Sequence, residues 1–289
     1  EDSLRHLLFN SGFTYVAALC GGLMLAPAGA YAGTMLNQGK NHFHVKRGGN
    51  YPAVGSLLTS TGALCSGTLI HGGSPGTAEG RDWVLTAGHC VTGAESMAFN
   101  VGGHGDGVDT FADGTTYQAK QWFAPAGWSG NLIGGNDIAL VQLDRNVSGV
   151  DPMKINRRGD DIQKDMGVVG YGMSGTGMDG AFTLAGTKRV GFNRTEGTLN
   201  DIVPTGTAGA DKILMSQFDV GPGQWGGIPP GWNPNDENGN EDDIPLQLEL
   251  MGAPGDSGGP TTFFYEGGER VTGVNSFGAV FGGDLDTGF

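Results

Sequence analysis

Gly255-Asp256-Ser257-Gly258-Gly259-Pro260 is the stretch that decides how the rest of the chain is read. A serine hydroxyl is a weak nucleophile near neutral pH and needs a base to take its proton, and imidazole titrates in the right range. The imidazole in turn needs a buried carboxylate on its other nitrogen, to fix the tautomer and stabilise the imidazolium. Two upstream stretches supply those groups: Thr86-Ala87-Gly88-His89-Cys90 and Asn136-Asp137-Ile138-Ala139-Leu140. His89, Asp137 and Ser257 are therefore the candidate base, orienting acid and nucleophile. The glycines let backbone N–H groups turn toward a developing oxyanion, and one such donor contributes on the order of 10²–10³ in rate. Gly255 and Ser257 carry the candidate donors, and Asp256 is read as the organiser of that loop.

Around these motifs the chain reads as all-β. Short apolar runs over 53–58, 65–70, 83–86, 138–143, 166–171, 212–220, 245–250 and 271–277 are bounded by glycine or polar turns and have strand length. No sustained 3.6-residue periodicity is present, and residues 87–91 alone read as a short helical turn. Glycine accounts for 56 of 289 residues without a Gly-X-Y period, which excludes collagen and favours tight turns between short strands. Residues 221–243 are rich in Gly, Pro, Asn and acid and read as one long irregular loop.

Composition narrows the function classes. With 16 basic against 30 acidic residues the net charge is −14, so no basic surface is expected for a phosphate backbone and nucleic acid is not an expected partner. Three cysteines are too few for a disulfide-dense miniprotein. Arg5 and His6 precede a mostly apolar run from Phe13 to Leu25, and Ala30-Tyr31-Ala32-Gly33 follows with small residues at the A-x-A positions. That pattern predicts a secretory signal peptide over 1–32, cut after Ala32, and a secreted or periplasmic product. The acids from Asp236 to Asp243 offer oxygen ligands of the kind calcium takes. They lack the spacing of a complete calcium loop, so a solvated acidic loop is the preferred reading and calcium the secondary one. His42, His44, His71 and His104 show no metal-ligand spacing and read as surface residues; no metal site is expected.

From about Tyr51 to Phe289 the chain resembles the trypsin/chymotrypsin-like serine proteases. The order His, Asp, Ser is theirs, Tyr51-Pro52-Ala53-Val54-Gly55-Ser56-Leu57 looks like their opening strand, and 167–172 looks like the first strand of their second barrel. The resemblance implies two packed antiparallel β-barrels, the first over about 45–150 and the second over about 151–289, with the active site in the cleft between them. It implies a serine endopeptidase acting on protein or peptide substrates through an acyl-enzyme, with no cofactor. Cys65 and Cys90 would form a disulfide, chemically reasonable after export. Ser276, Phe277 and Gly278 would lie along bound substrate, and Met251, six residues before the serine, would lie at the base of the primary pocket. An uncharged Met251 implies that cleavage after Lys or Arg is not preferred and that apolar or small side chains are favoured, although Asp284 or Asp286 could place an acid in that pocket.

Other readings are weighed against this one. The serine motif also fits the Gly-x-Ser-x-Gly elbow of α/β-hydrolases, but those place a histidine after the serine, and all six histidines here precede Ser257. A catalytically silent homologue that binds proteins through the same cleft is the main rival, and an esterase on the same fold the third. Family members often insert a new Ile-Val-type N-terminus that pairs with the acid before the serine. No Ile-Val-Gly-Gly lies upstream of Tyr51. Either another N-terminus serves, for instance after processing near Lys46-Arg47, or Asp256 has an internal partner. Ala253 stands where a second family cysteine is expected. The resemblance also implies that the chain continues beyond Phe289 with a last strand and a helix, where an anchor could follow.

Overall fold

The computed structural model describes residues 33–35, 38–72, 80–103, 109–176, 180–202, 209–218, 246–281 and 284–288. The leader over 1–32, the loop over 221–243 with its acidic run, and His104 lie outside these residues. In chain order, strand β1 (Gly33–Met35) is followed by helix α1 (Asn41–Gly48). Strands β2 (Val54–Thr59), β3 (Leu64–Ile70), β4 (Trp83–Thr86), β5 (Met97–Val101), β6 (Thr115–Phe123) and β7 (Ala139–Leu143) come next, with helix α2 (Gly88–Val91) between β4 and β5.

These six strands close into a barrel in the order β2-β3-β4-β7-β6-β5. Their inward side chains form one core in which Leu57, Leu69, Val84, Phe99 and Val141 are fully buried. Each such side chain contributes roughly 1.5–3 kcal/mol relative to leaving it in water. Gly55 and Gly67 face each other across β2 and β3. A Cβ at Gly55 would stand 2.6 Å from the Phe99 ring, so the absence of a side chain there is what admits the ring. Cys65 on β3 and Cys90 on α2 are joined by a disulfide with Cα atoms 6.3 Å apart.

The second half holds β8 (Lys154–Ile155), β9 (Lys164–Gly170), β10 (Ser174–Thr176), β11 (Gly180–Thr183), β12 (Arg189–Thr195), β13 (Gly197–Thr198), β14 (Leu214–Gln217), β15 (Leu250–Met251), β16 (Pro260–Tyr265), β17 (Gly268–Val274), β18 (Gly278–Phe281) and β19 (Asp284–Gly288). They form three sheets, ordered β11-β10-β1-β15, β12-β9-β16-β17-β8 and β13-β14-β19-β18. Among the described residues no ladder closes these into a ring. Met166, Val168, Leu250, Phe263 and Tyr265 make their principal core.

Two buried polar contacts join the halves. Lys188 is fully buried and donates to the carbonyls of Tyr51 (3.0 Å) and Val54 (3.2 Å), while its ammonium lies 3.0 Å from Asp109 Oδ2. All three of its protons are thus matched, as a buried ammonium requires. Ser66 on β3, also fully buried, donates from Oγ to the Gly255 carbonyl and accepts from the Tyr171 N–H.

Several sequence expectations shift. Helix α1 was not expected, because its apolar positions are sparse; the face it buries is made of His44 and Gly48. His44 is therefore a core residue and not a surface one: it is 1% exposed and its Nδ1 lies 2.9 Å from the Val190 carbonyl. The run expected over 245–250 contributes only β15, and the one expected over 271–277 ends as a strand at Val274. Strands β5, β6, β12 and β16 fall outside the expected runs, as do the shorter β1, β8, β10, β11, β13, β18 and β19.

Candidate active site

His89 sits on α2, which starts after Ala87 in extended conformation. Asp137 follows Asn136, whose φ of 63° is left-handed, a conformation Asn tolerates better than most residues. This turn aims the carboxylate at α2. Oδ1 accepts the His89 backbone N–H at 2.7 Å, and Oδ2 lies 2.7 Å from His89 Nδ1. The approach needs Gly88: a Cβ there would stand 3.1 Å from Asp137 Oδ1 and from the Trp128 ring. Trp128 closes over the helix, its Nε1 donating to Thr92 Oγ1, which in turn donates to the Gly88 carbonyl.

Asp137 is 8% exposed. Burial pushes its carboxyl up, but hydrogen bonds from His89 and Ser276 and the attraction of the imidazole outweigh this and hold it below the usual range. An ionised carboxylate only accepts hydrogen bonds, so His89 carries its proton on Nδ1 and presents a lone pair on Nε2. Nε2 is buried and has no hydrogen-bond partner among the described residues.

Ser257 lies in the turn between β15 and β16 and is 8% exposed. Its carbonyl accepts the Ser66 N–H at 2.8 Å and lies 3.6 Å from Cys90 Sγ, which brings the turn against the helix of His89. No hydrogen bond joins Ser257 Oγ to His89 Nε2; such contacts are often long before substrate binds. Gly258 has φ +78°, and a Cβ there would fall 2.0 Å from Thr86 Oγ1 and 2.5 Å from the Ser66 carbonyl. Gly258 and Gly259 donate to the carbonyls of Asn275 and Asp256, whereas among the described residues the N–H groups of Gly255 and Ser257 donate to none. The two candidate oxyanion donors are thus the uncommitted amides of the turn.

Asp256 is buried, its Oδ1 accepting the Gly172 N–H at 2.7 Å and its Oδ2 the Ala253 N–H at 2.9 Å. Burial pushes its carboxyl up to about 6, the two amides and the distant charge of Arg189 opposing.

Asp137, Ser257, Met251, Phe277 and Gly278 all line one cavity of about 360 Å³, whose apolar wall includes Met166 and Met215. Met251 is 3% exposed on β15. Ser276 lines the cavity too, and its hydroxyl donates to Asp137 Oδ2 at 2.5 Å. Asp284 and Asp286 belong to β19, with side chains outside the described set. The described donor atoms that cluster closely enough to suggest a metal are those of Cys65, His89 and Cys90, and both sulfurs are spent in the disulfide.

Sequence reasoning missed Ser66, Thr86, Trp128 and the side-chain role of Ser276. Thr86 lies inside the quoted histidine motif and Ser66 inside the run over 65–70, yet nothing in their spacing shows that Thr86 Oγ1 donates to the Ser66 carbonyl behind Ser257.

A family model described as Trypsin matches residues 41–190, just over half of the 289-residue chain, and the chain belongs to that family. Snake venom serine protease 1 of Craspedocephalus gramineus is 33% identical over 93 residues, covering 32% of this chain and 31% of its own length. Granzyme M of Rattus norvegicus is 31% identical over 110 residues, 37% of this chain and 38% of its own. The chain thus spans about a third of the length of these relatives. A solved structure described as HL collagenase superposes with a TM-score of 0.52 at 18% identity, over 91% of this chain and 92% of that one. The molecule therefore has the two-barrel, all-β trypsin-like fold.

Proposed function

We propose that the chain is an exported serine endopeptidase whose catalytic groups are Ser257, His89 and Asp137. The observation that carries this reading is the His89–Asp137 pair, bonded through Nδ1 at 2.7 Å, with Nε2 left without a hydrogen-bond partner among the described residues. Nε2 takes the hydroxyl proton as Ser257 Oγ attacks a peptide carbonyl. The tetrahedral oxyanion forms against the N–H groups of Gly255 and Ser257. The imidazolium, held by Asp137, returns its proton to the leaving amine, and water activated by the same imidazole releases the acyl-enzyme. These steps draw on no cofactor. The division into a leader over 1–32, a first barrel over about 45–150 and a second over about 151–289 belongs to the same reading.

The methionine-rich cavity supports a preference for apolar side chains before the scissile bond. Met166, Met215 and Met251 offer a guanidinium or ammonium no charge of their own to pair with, and the carboxylates that also line the cavity, Asp137 and Asp256, are already engaged by His89 and by the Gly172 and Ala253 amides. Peptide nitroanilides ending in Phe, Leu and Arg test both parts. Turnover of Phe or Leu substrates at least tenfold above Arg, lost in Ser257→Ala and His89→Ala, is the expected result. Preferred turnover of Arg would overturn the specificity, and turnover unchanged in Ser257→Ala would overturn the mechanism.

A further inference from the structure

The segment that leads into β14 reaches across to the loop that carries Asp137. It opens with a 3-10 turn over Ala210–Lys212, in which the Lys212 N–H donates to the Gly209 carbonyl at 3.0 Å. Gly209 (φ +91°) and Gly135 (φ +68°) bring the two loops together backbone to backbone. A Cβ on Gly135 would stand 2.6 Å from the Gly209 carbonyl oxygen, and one on Gly209 2.2 Å from that of Gly134, so neither position admits a side chain. Ala210 and Ile213 are buried with Leu199, and Ile133 and Phe277 pack against them. The backbone of Lys212 is therefore fixed against two parts of the site, the turn before Asp137 and the stretch from Ser276 to Gly278.

Lys212 is exposed and lines the cavity that also holds Ser257, Met251 and Phe277. Among the described residues the charged groups lining that cavity are Asp137, Asp256 and Lys212. The two carboxylates are engaged, Asp137 by His89 and Ser276 and Asp256 by the Gly172 and Ala253 amides. Lys212 joins no ion pair among the described residues, and its neighbour Asp211 does not line the cavity. The molecule as a whole has the opposite sign, with a net charge of −14. That field disfavours acidic ligands, so an acidic group accepted in the cleft needs a local counter-charge. Lys212 supplies it.

We propose that Lys212 is a specificity-determining residue that selects substrates carrying Asp or Glu at the second to fourth residue before the scissile bond. The inference rests on the proposed function, in which substrate lies along Ser276, Phe277 and Gly278 and its primary side chain enters the cavity at Met251. Phe277 belongs both to that stretch and to the cluster beneath Lys212, so a substrate strand leaving the primary pocket passes the ammonium. An extended strand advances about 3.3 Å per residue and the lysine stem is flexible, so the ammonium serves a short window of positions. An ion pair of this kind, open to water, is worth up to roughly fivefold in affinity.

Acetyl-capped tetrapeptide nitroanilides test the assignment. They end in the primary residue that is turned over fastest and carry Glu, Gln or Lys in turn at each preceding position. Steady-state constants are measured for the wild type, Lys212→Met and Lys212→Glu, with each fold checked by thermal melting. The wild type should favour Glu over Lys in kcat/KM by about threefold or more at one of these positions. The preference should lie in KM, as a contact made equally in the ground and transition states does, and shrink as salt rises from about 0.01 to 1 M. It should vanish in Lys212→Met and reverse in Lys212→Glu. A smaller preference in the wild type, a preference for Lys, or one for Glu that Lys212→Glu retains would overturn the inference and leave the proposed function standing. Folded wild type that cleaves none of the peptides and takes up no fluorophosphonate at Ser257 would remove the proposed function, and this inference with it. If Lys212→Glu does not fold, Lys212→Met and the salt series decide: a preference that the first abolishes and the second weakens supports the inference, and one that survives either overturns it.

Discussion

At the scale of single residues, the strongest coupling is between Asp137 and its three donors: the His89 backbone, the His89 ring and Ser276. Together they keep the carboxylate ionised despite its burial. Because its folded pKa is depressed, this group supports the fold above its ordinary value near 3.8, and the support is lost as pH falls through the folded value. Asp137→Asn preserves the size of the side chain but lets His89 hold its proton on Nε2, the wrong nitrogen for taking one from Ser257. In a serine protease of this mechanism that change costs on the order of 10⁴ in kcat. A drop of that size with KM nearly unchanged is expected in steady-state assays of the folded variant; a loss of less than tenfold would contradict the role given to Asp137. Residue types and order made His89, Asp137 and Ser257 legible in the sequence as candidates, since the histidine and serine motifs couple a reactive side chain to a cysteine or glycines with a distinct geometric task and the third supplies an acid between them. Ser276 was legible as a position but not as a donor, because the direction of its hydroxyl depends on β17 ending at Val274.

At the scale of elements, β12 and α1 show where sequence pattern runs out. β12 reads Arg-Val-Gly-Phe-Asn-Arg-Thr, polar and glycine-interrupted, yet Arg189, Asn193 and Thr195 are buried beside Val190. Alternation fails as a signal when the polar positions are satisfied inside by partners distant in sequence. Arg189 finds Asn41 and Asn193 finds the Leu250 carbonyl, at 2.8 and 3.4 Å. The same holds for Lys188, immediately before β12, which ties the start of the barrel to the segment of Asp109. Burial pulls the Lys188 ammonium down and its bond to Asp109 pulls it back. Removing one partner leaves the other charged and buried, so Lys188→Met is expected to destabilise by about 3–5 kcal/mol in chemical denaturation. The double variant Lys188→Met/Asp109→Asn should recover part of that loss. Additive losses in the two single variants would show that the residues do not act as a pair.

At the scale of the whole molecule, the first barrel closes on its own core, while the turn of Ser257 is held from both sides by Ser66 of that barrel and Asp256 of the second half. The cleft is thus a product of how the halves meet, and the sequence announced it only through the spacing of three motifs over some 170 residues. The second-half sheets were less legible because their strands are short, glycine-rich and joined in non-sequential order, as β1 between β10 and β15 illustrates. The central claim is that this meeting of halves activates Ser257. Fluorophosphonate labelling of the purified protein, with the labelled peptide mapped by mass spectrometry, tests it most directly. The expected result is a single adduct on Ser257, formed in the wild type and absent from Ser257→Ala and strongly slowed in His89→Ala. Properly folded wild-type protein that acquires no adduct, or acquires it equally well without His89, would contradict the account.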